Sequence, residues 1–306
     1  MNDPHLAPYE PLTLIRENKR YATYRGELHG QSVFIKAARQ AELQPRLITE
    51  ASGLLNLAQL DLHEQYYTVP QVIRVEENAL ITSWSEGVLM KDEFELGHPQ
   101  FENHLSTLLN LFLYFDAQSS PTGEGNRYTV PGRENAVDSV LFKLRGHGFA
   151  EHIDAPLLES LADLVRPRLV GLDKRFAHGD LQPGNILIGG KVPILIDGEA
   201  CSWLWPRHYN AINFVVNYTH LSEQLEQRLN QFLTDYFAQL GLDLEAVREH
   251  INTIAGVRCL QMAWEELGGY LEDRPMPHIR PEIKDYVERT AQTILSERIF
   301  NDRLSN

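Results

Sequence analysis

From residue 12 to 84, polar residues punctuate the short β-like apolar runs LTLIRE, YATYRGEL, SVFIKAA, QVIRV and ALITSW, which are separated by the turn signals NKR, HGQ and EEN. Runs of four to eight such residues bounded by turn signals mark strands, so this stretch predicts an antiparallel sheet. One segment breaks the pattern. From Pro45 on, Leu47, Ile48, Ala51, Leu54, Leu55 and Ala58 recur at helical spacing, which predicts a single helix with proline in its first turn. Beyond residue 93 the helical period takes over, across 94–116, 137–149, 155–170, 223–240, 244–267 and 282–299. The polar stretch 117–135 predicts a surface loop. Sheet first and helices after gives the class α+β, divided at residues 1–86 and 87–306.

The stretch HGDLQPGNILI, from His178 to Ile188, interrupts the helical half. Two short apolar runs, 186–188 and 192–196, flank Gly189 and Gly190, the signature of a tight hairpin. That hairpin carries Asp197 back towards Asp180 and Asn185, gathering two carboxylates and a carboxamide. Such a cluster is costly without a cation, and its hard oxygen donors suit Mg²⁺. The alternative is a capped turn whose Asp and Asn bond local backbone.

Composition narrows the function classes. The 306 residues, 43% of them hydrophobic, carry a net charge of −14, which excludes a clustered-cation nucleic-acid surface. Two cysteines without metal-ligand spacing point to a reduced, cytoplasmic compartment, and no apolar run reaches membrane-spanning length. The N-terminus, MNDPHLAPYEPL, lacks the basic and apolar regions of a secretory leader.

The order and spacing of His178, Gly179, Asp180 and Asn185, followed by Ile196, Asp197 and Glu199, resemble the catalytic loop and metal segment of the aminoglycoside phosphotransferase and choline kinase superfamily. These are small-molecule kinases with a two-lobed protein-kinase-like fold. The resemblance implies a small antiparallel β-sheet lobe with one helix for the nucleotide, and a larger, mainly helical lobe with the catalytic loop and acceptor site. It implies Asp180 as catalytic base, Asn185 and Asp197 as Mg²⁺ ligands, and ATP or GTP as co-substrate. His178 becomes a scaffold residue, and Glu199 is either a second metal contact or a solvated carboxylate. Lys36, alone in the apolar run VFIKAA, becomes the lysine that reaches the nucleotide phosphates. Glu50 lies fourteen residues on, at the margin of the predicted helix's apolar face, where an unpaired carboxylate is expensive; a Lys36–Glu50 ion pair resolves both oddities. The strand exit ALITSWSEG resembles an interlobe hinge, with adenine bound near Ser83 and Ser85.

One departure stands out. The turn ENKRY, residues 17–21, has no glycine, although close backbone approach to phosphate exploits glycine; Lys19 and Arg20 either are ordinary exposed turn residues or offer charge instead. Against a protein kinase, Gln182 stands where such enzymes place a phosphate-neutralising lysine, and only eight residues separate Asp197 from Pro206. A catalytically inactive nucleotide binder and a protein or lipopolysaccharide kinase are the alternatives. Residues 91–306 hold 20 Lys and Arg against 31 Asp and Glu, which favours a small cationic acceptor over an anionic one. Trp203, Trp205, Tyr209, Trp264 and Tyr270 lie near Glu265, Glu266, Glu272 and Asp273 in sequence. Aromatic faces mixed with carboxylates attract ammonium groups, so Trp205, Trp264, Glu265 and Glu266 are candidate acceptor contacts; the bland alternative is core tryptophans beside a solvated helix face.

Overall fold

The computed structural model describes residues 6–118, 136–146, 151–269, 279–296 and 298. These form two compact units, one built from 6–111 with His178–Ser202, the other from 112–177 and the residues from 203 onward. The surface loop read at 117–135 lies, from residue 119 on, outside the described residues. Among the described residues no helix is long and apolar enough to cross a membrane.

In the first unit all five β-like runs become strands. They are β1 (Thr13–Glu17), β2 (Tyr21–Leu28), β3 (Gln31–Ala38), β4 (Val72–Val75) and β5 (Ala79–Ser83), paired antiparallel in the order β1-β2-β3-β5-β4. Helix α1 (Gln44–Leu60) lies between β3 and β4 in the chain. The strand period sorts side chains between two layers. Val33, Ile35, Ala37, Ala79 and Ile81 pack with Leu6 and Tyr9 of the N-terminal segment. On the opposite face Tyr21 and Leu80 pack against Leu47 and Ala51 of α1. Lys36 pairs with Leu80 across the ladder, so its side chain is on the face that α1 covers.

Helix α1 is turned slightly from the expected face. Ile48 and Leu55 are half exposed and Ala58 is exposed, whereas Leu47, Glu50, Ala51, Gly53, Leu54 and Leu57 are buried. The close approach of the segment after Asp197 explains this: a Cβ on Gly53 would collide with the Gly198 carbonyl oxygen, and one on Gly198 would stand 2.8 Å from the Leu54 nitrogen. The helix therefore presents its glycine inward and leaves two large apolar residues outside.

A second sheet in this unit pairs β6 (Val88–Leu89), β8 (Ile186–Ile188) and β9 (Ile194–Leu195) in the order β6-β8-β9. The hairpin connection is longer than two residues. Ile186 pairs with Leu195 and Leu187 with Ile194, leaving 189–193 as the loop. Pro193 has no N–H to extend the ladder, and its carbonyl accepts instead from Thr68 at 2.9 Å.

The second unit is mainly helical. Helix α2 (Phe101–Ala117) runs into it, followed by α3 (Ala136–Gly146), α4 (Ala155–Gly171), β7 (Lys174–Ala177), β10 (Ser202–Pro206), α5 (Tyr209–Tyr218), α6 (Glu223–Gln239), α7 (Arg248–Trp264) and α8 (Pro281–Leu295). Helix α7 is buried along most of its length and is packed by α3, α4, α5 and α8. The sequence pattern missed α5 and started a helix too early at 94, where Gly97 (φ +93°) and Pro99 hold the chain in turns. It also carried the 244–267 helix past α7, which gives way to a π-helical turn, Glu265–Gly269.

Candidate active site

The site residues of the first unit come from three places: β3, α1 and the segment His178–Ser202. Lys36 Nζ lies 2.6 Å from Glu50 Oε2 and 3.5 Å from Asp197 Oδ1, so the expected ion pair is formed and a third site residue is drawn in. The ammonium also sits over the ring of Tyr21, 4.8 Å from its centroid, a contact no local pattern predicts. Burial disfavours the charge on Lys36, but Glu50 and Asp197 outweigh it and hold its pKa above the ordinary lysine value. Glu50 is pushed up to about 7 by burial, with Asp197 adding to the rise and Lys36 opposing it.

Asp197 follows β9 and adopts a left-handed conformation, φ 61° and ψ 63°, before the 3₁₀ turn Gly198–Ala200. Carboxylate oxygens of Glu50, Asp197 and Glu199 lie within 4.8 Å of one another. Lys36 and Arg46 offset this charge, the latter 3.4 Å from Glu199.

The loop 178–188 is fastened to this segment through the residue before Asp197. His178 is fully buried, and its Nε2 donates to the Ile196 carbonyl at 3.0 Å. The Ile196 amide donates to the Asn185 carbonyl at 3.0 Å. Burial drives the His178 pKa down to about 4, against the pull of Asp197 and the Ile196 carbonyl, so the imidazole is neutral near pH 7 with its proton on Nε2. Gly179 takes φ +80°, which glycine adopts without steric penalty, and Leu181 anchors the loop in the core.

Asn185 Nδ2 donates to both the Asp180 carbonyl and Asp180 Oδ2, each at 2.8 Å. With its nitrogen so engaged, Asn185 has its carboxamide oxygen left as a ligand atom. That oxygen and the half-exposed carboxylate of Asp197 are both hard oxygen donors, the kind Mg²⁺ takes. The residues present fit the metal.

At the end of β5, Ser83 is held within the sheet. Its amide donates to the Gln71 carbonyl at 2.8 Å, its hydroxyl accepts from the Gln71 amide at 2.9 Å, and the Trp84 amide donates to Ser32 at 3.1 Å. Ser85 lies beyond these pairings. In the β1–β2 turn, Asn18 Oδ1 accepts from the amides of both Arg20 and Tyr21 at 2.8 Å, and the Asn18 amide donates to the Tyr21 carbonyl at 2.9 Å. The asparagine thus holds amides that a glycine-rich turn would direct at phosphate.

The candidate acceptor residues belong to the second unit. Trp205 stacks on Tyr209 with ring centroids 4.0 Å apart, and Trp203 meets Phe176 edge-on at 5.0 Å. Trp264 closes α7. Glu265 receives two hydrogen bonds from Arg258, each 2.7 Å, and the buried Glu266 receives two from Arg280, at 2.7 and 3.1 Å. Tyr270, Glu272 and Asp273 lie outside the described residues. A further network went unforeseen: the buried Asp116 accepts from Arg207 at 2.8 Å and stands 2.8 Å from His208 Nδ1, which also lies 2.9 Å from the Tyr236 hydroxyl.

No protein-family model matches the chain, and no curated protein sequence matches it significantly. Solved structures do. A thermostable mutant of aminoglycoside phosphotransferase APH(4)-Ia, in a ternary complex with ADP and hygromycin B, superposes with TM-score 0.64 over 96% of each chain at 11% identity. The chain has the aminoglycoside phosphotransferase fold. The GDP and kanamycin complex of APH(2")-IIia matches this fold over 94% of the present chain and 93% of its own, with TM-score 0.61 and 14% identity. The streptomycin and ATP complex of APH(2")-IIa covers 96% and 92%, with TM-score 0.56 and 9% identity.

Proposed function

We propose that the chain is a Mg²⁺-dependent phosphotransferase that moves the γ-phosphoryl group of ATP or GTP to a hydroxyl of a small, cationic molecule. The observation that carries the reading is the meeting of Lys36, Glu50 and Asp197 in the unit that also holds the Asp180–Asn185 pair. In this proposal residues 1–86 bind the nucleotide and 87–306 supply the catalytic loop and acceptor site, in the cytoplasm. Lys36, steadied by Glu50, contacts the phosphates, and adenine bonds the chain beyond the Ser83 pairings, at Ser85. Asp180 orients the acceptor hydroxyl and takes its proton as the oxygen attacks phosphorus. Asn185 and Asp197 hold the metal, which when bound neutralises charge on the transferring phosphoryl group.

Two observations support a cationic acceptor: the excess of acidic residues beyond position 90, and neighbours of the same fold in complex with hygromycin B, kanamycin and streptomycin. Trp205, Trp264, Glu265 and Glu266 are the proposed contacts, with an acceptor ammonium competing with Arg258 and Arg280 for the two glutamates.

The test is nucleotide consumption with Mg²⁺ across a panel of aminoglycosides, choline and ethanolamine. Asp180→Asn should lower turnover by orders of magnitude while calorimetry shows nucleotide binding nearly intact. Turnover like the wild type in that variant overturns the assignment.

A further inference from the structure

Asp180 Oδ2 accepts from two side-chain amides. Asn185 Nδ2 donates at 2.8 Å, and Gln182 Nε2 donates to the same oxygen at 3.2 Å. The two donors differ in what else holds them. Asn185 uses its second N–H on the Asp180 backbone carbonyl, at 2.8 Å, so it locks the loop's backbone as well as the carboxylate. Gln182 has an extended backbone, φ −146° and ψ 161°, immediately before the 3₁₀ turn Pro183–Asn185. Its carbonyl caps that turn by accepting from the Asn185 amide at 2.8 Å.

A carboxylate held at one oxygen by one donor still pivots about its own χ2, and a broad sp³–sp² torsion offers little resistance. A second donor on the same oxygen, arriving from a different point of the loop, restricts that pivot. It fixes the direction in which the remainder of the carboxylate faces an incoming hydroxyl. Misplacement of a base by about 1 Å is enough to lower a rate roughly a hundredfold, so this restriction has kinetic weight.

We propose that Gln182 is a positioning residue, whose side-chain amide holds the Asp180 carboxylate in the plane required for phosphoryl transfer. This rests on the phosphotransferase reading of the site. The side chain acts through its N–H, so the character of the substituent at 182 as a donor governs the rate, and its size and polarity do not. Gln182→Met keeps length and shape and removes the donor. Gln182→Glu keeps the shape but puts an acceptor against an acceptor. Gln182→Lys restores a donor at comparable reach.

The experiment measures MgATP turnover with the best acceptor of the panel, and with water as acceptor through phosphate release, for wild type, the three variants and Asp180→Asn. The expected result is a kcat roughly tenfold or more below wild type in Gln182→Met and Gln182→Glu, with KM for MgATP unchanged, and recovery of most of the rate in Gln182→Lys. A structural role would instead lower the thermal midpoint, and Gln182→Met would be the mildest of the three. Wild-type kcat in Gln182→Met beside an inactive Asp180→Asn overturns the role of Gln182 and leaves the kinase standing. Absence of phosphoryl transfer to any acceptor or to water by the wild type overturns the phosphotransferase reading itself.

Discussion

Removal of Glu50 is the sharpest stability test of the site. Its carboxylate is buried and lies 2.6 Å from Lys36, whose side chain is only 13% exposed. Deleting one member of a buried pair typically costs about 3–5 kcal/mol, because the other charge is left without compensation. Here Lys36 keeps Asp197 at 3.5 Å, a partner 41% exposed, so Glu50→Ala should fall near the lower end, about 3 kcal/mol. Lys36→Met should be milder near neutral pH. Glu50 already titrates at about 7, and without the lysine it takes up a proton rather than remaining a buried anion. Its folded pKa is then above the unfolded value, so the deficit against wild type should widen as pH rises above 7. The double variant Lys36→Met/Glu50→Leu replaces the pair by apolar groups and should return to within about 1 kcal/mol of wild type, yet bind MgATP far more weakly than wild type. Urea denaturation followed at Trp84, the one tryptophan of the first unit, reads the stability, and calorimetry reads the nucleotide. A loss below about 1 kcal/mol in Glu50→Ala, or a double variant as unstable as the summed singles, would refute the buried-pair argument.

Gly53→Ala should disturb the segment after Asp197 without changing Asn185 or Asp197, since the new Cβ collides with the Gly198 backbone; we expect a loss of about 2 kcal/mol or more and, on the proposed function, weaker MgATP binding, and full stability would show that the segment yields easily. In the second unit, burial would raise the Asp116 pKa, but hydrogen bonds from His208 and Arg207 outweigh it and hold the value down to about 2. Because the folded value lies below the unfolded 3.8, this carboxylate contributes about 2 kcal/mol at neutral pH, fully present above pH 4 and lost as pH falls towards 2. Acid titration of stability for wild type and Asp116→Asn should therefore converge below pH 3, and parallel curves would contradict the network.

The strands were legible from their short β-branched and aromatic runs and the turn residues between them rather than from burial: β1 is exposed along its whole length, and β5 is buried at every position but its last. The Lys36–Glu50 pair was readable across fourteen residues because each is a charge set in an apolar run, where it is costly without a partner. Helix α5 was not legible. Tyr209 through Val216 are all buried, and a helix enclosed on every side has no polar stripe from which a period can be read. The turned face of α1 was equally hidden, since Gly53 faces inward only because Gly198, far along the chain, packs against it.

The motif at 178–188 was legible because it is compact: Asp180 meets Gln182 and Asn185 only two and five residues on, although the contact with Gln182 was not foreseen. The Asp116–Arg207 pair spans 91 residues of helix and loop, and no period links its members. The glutamates near the end of α7 are an intermediate case. Arg258 and Glu265 are seven residues apart, two helical turns, so their pairing follows from spacing once the helix is granted. Arg280 reaches Glu266 from fourteen residues away, on the approach to α8. Both carboxylates are therefore neutralised by arginines that a reading of the acidic run alone passes over. A count of acidic residues overstates the field felt by an ammonium group wherever such internal pairs form. An ammonium group that approached Glu265 or Glu266 would therefore have to displace or join the Arg258 and Arg280 pairs.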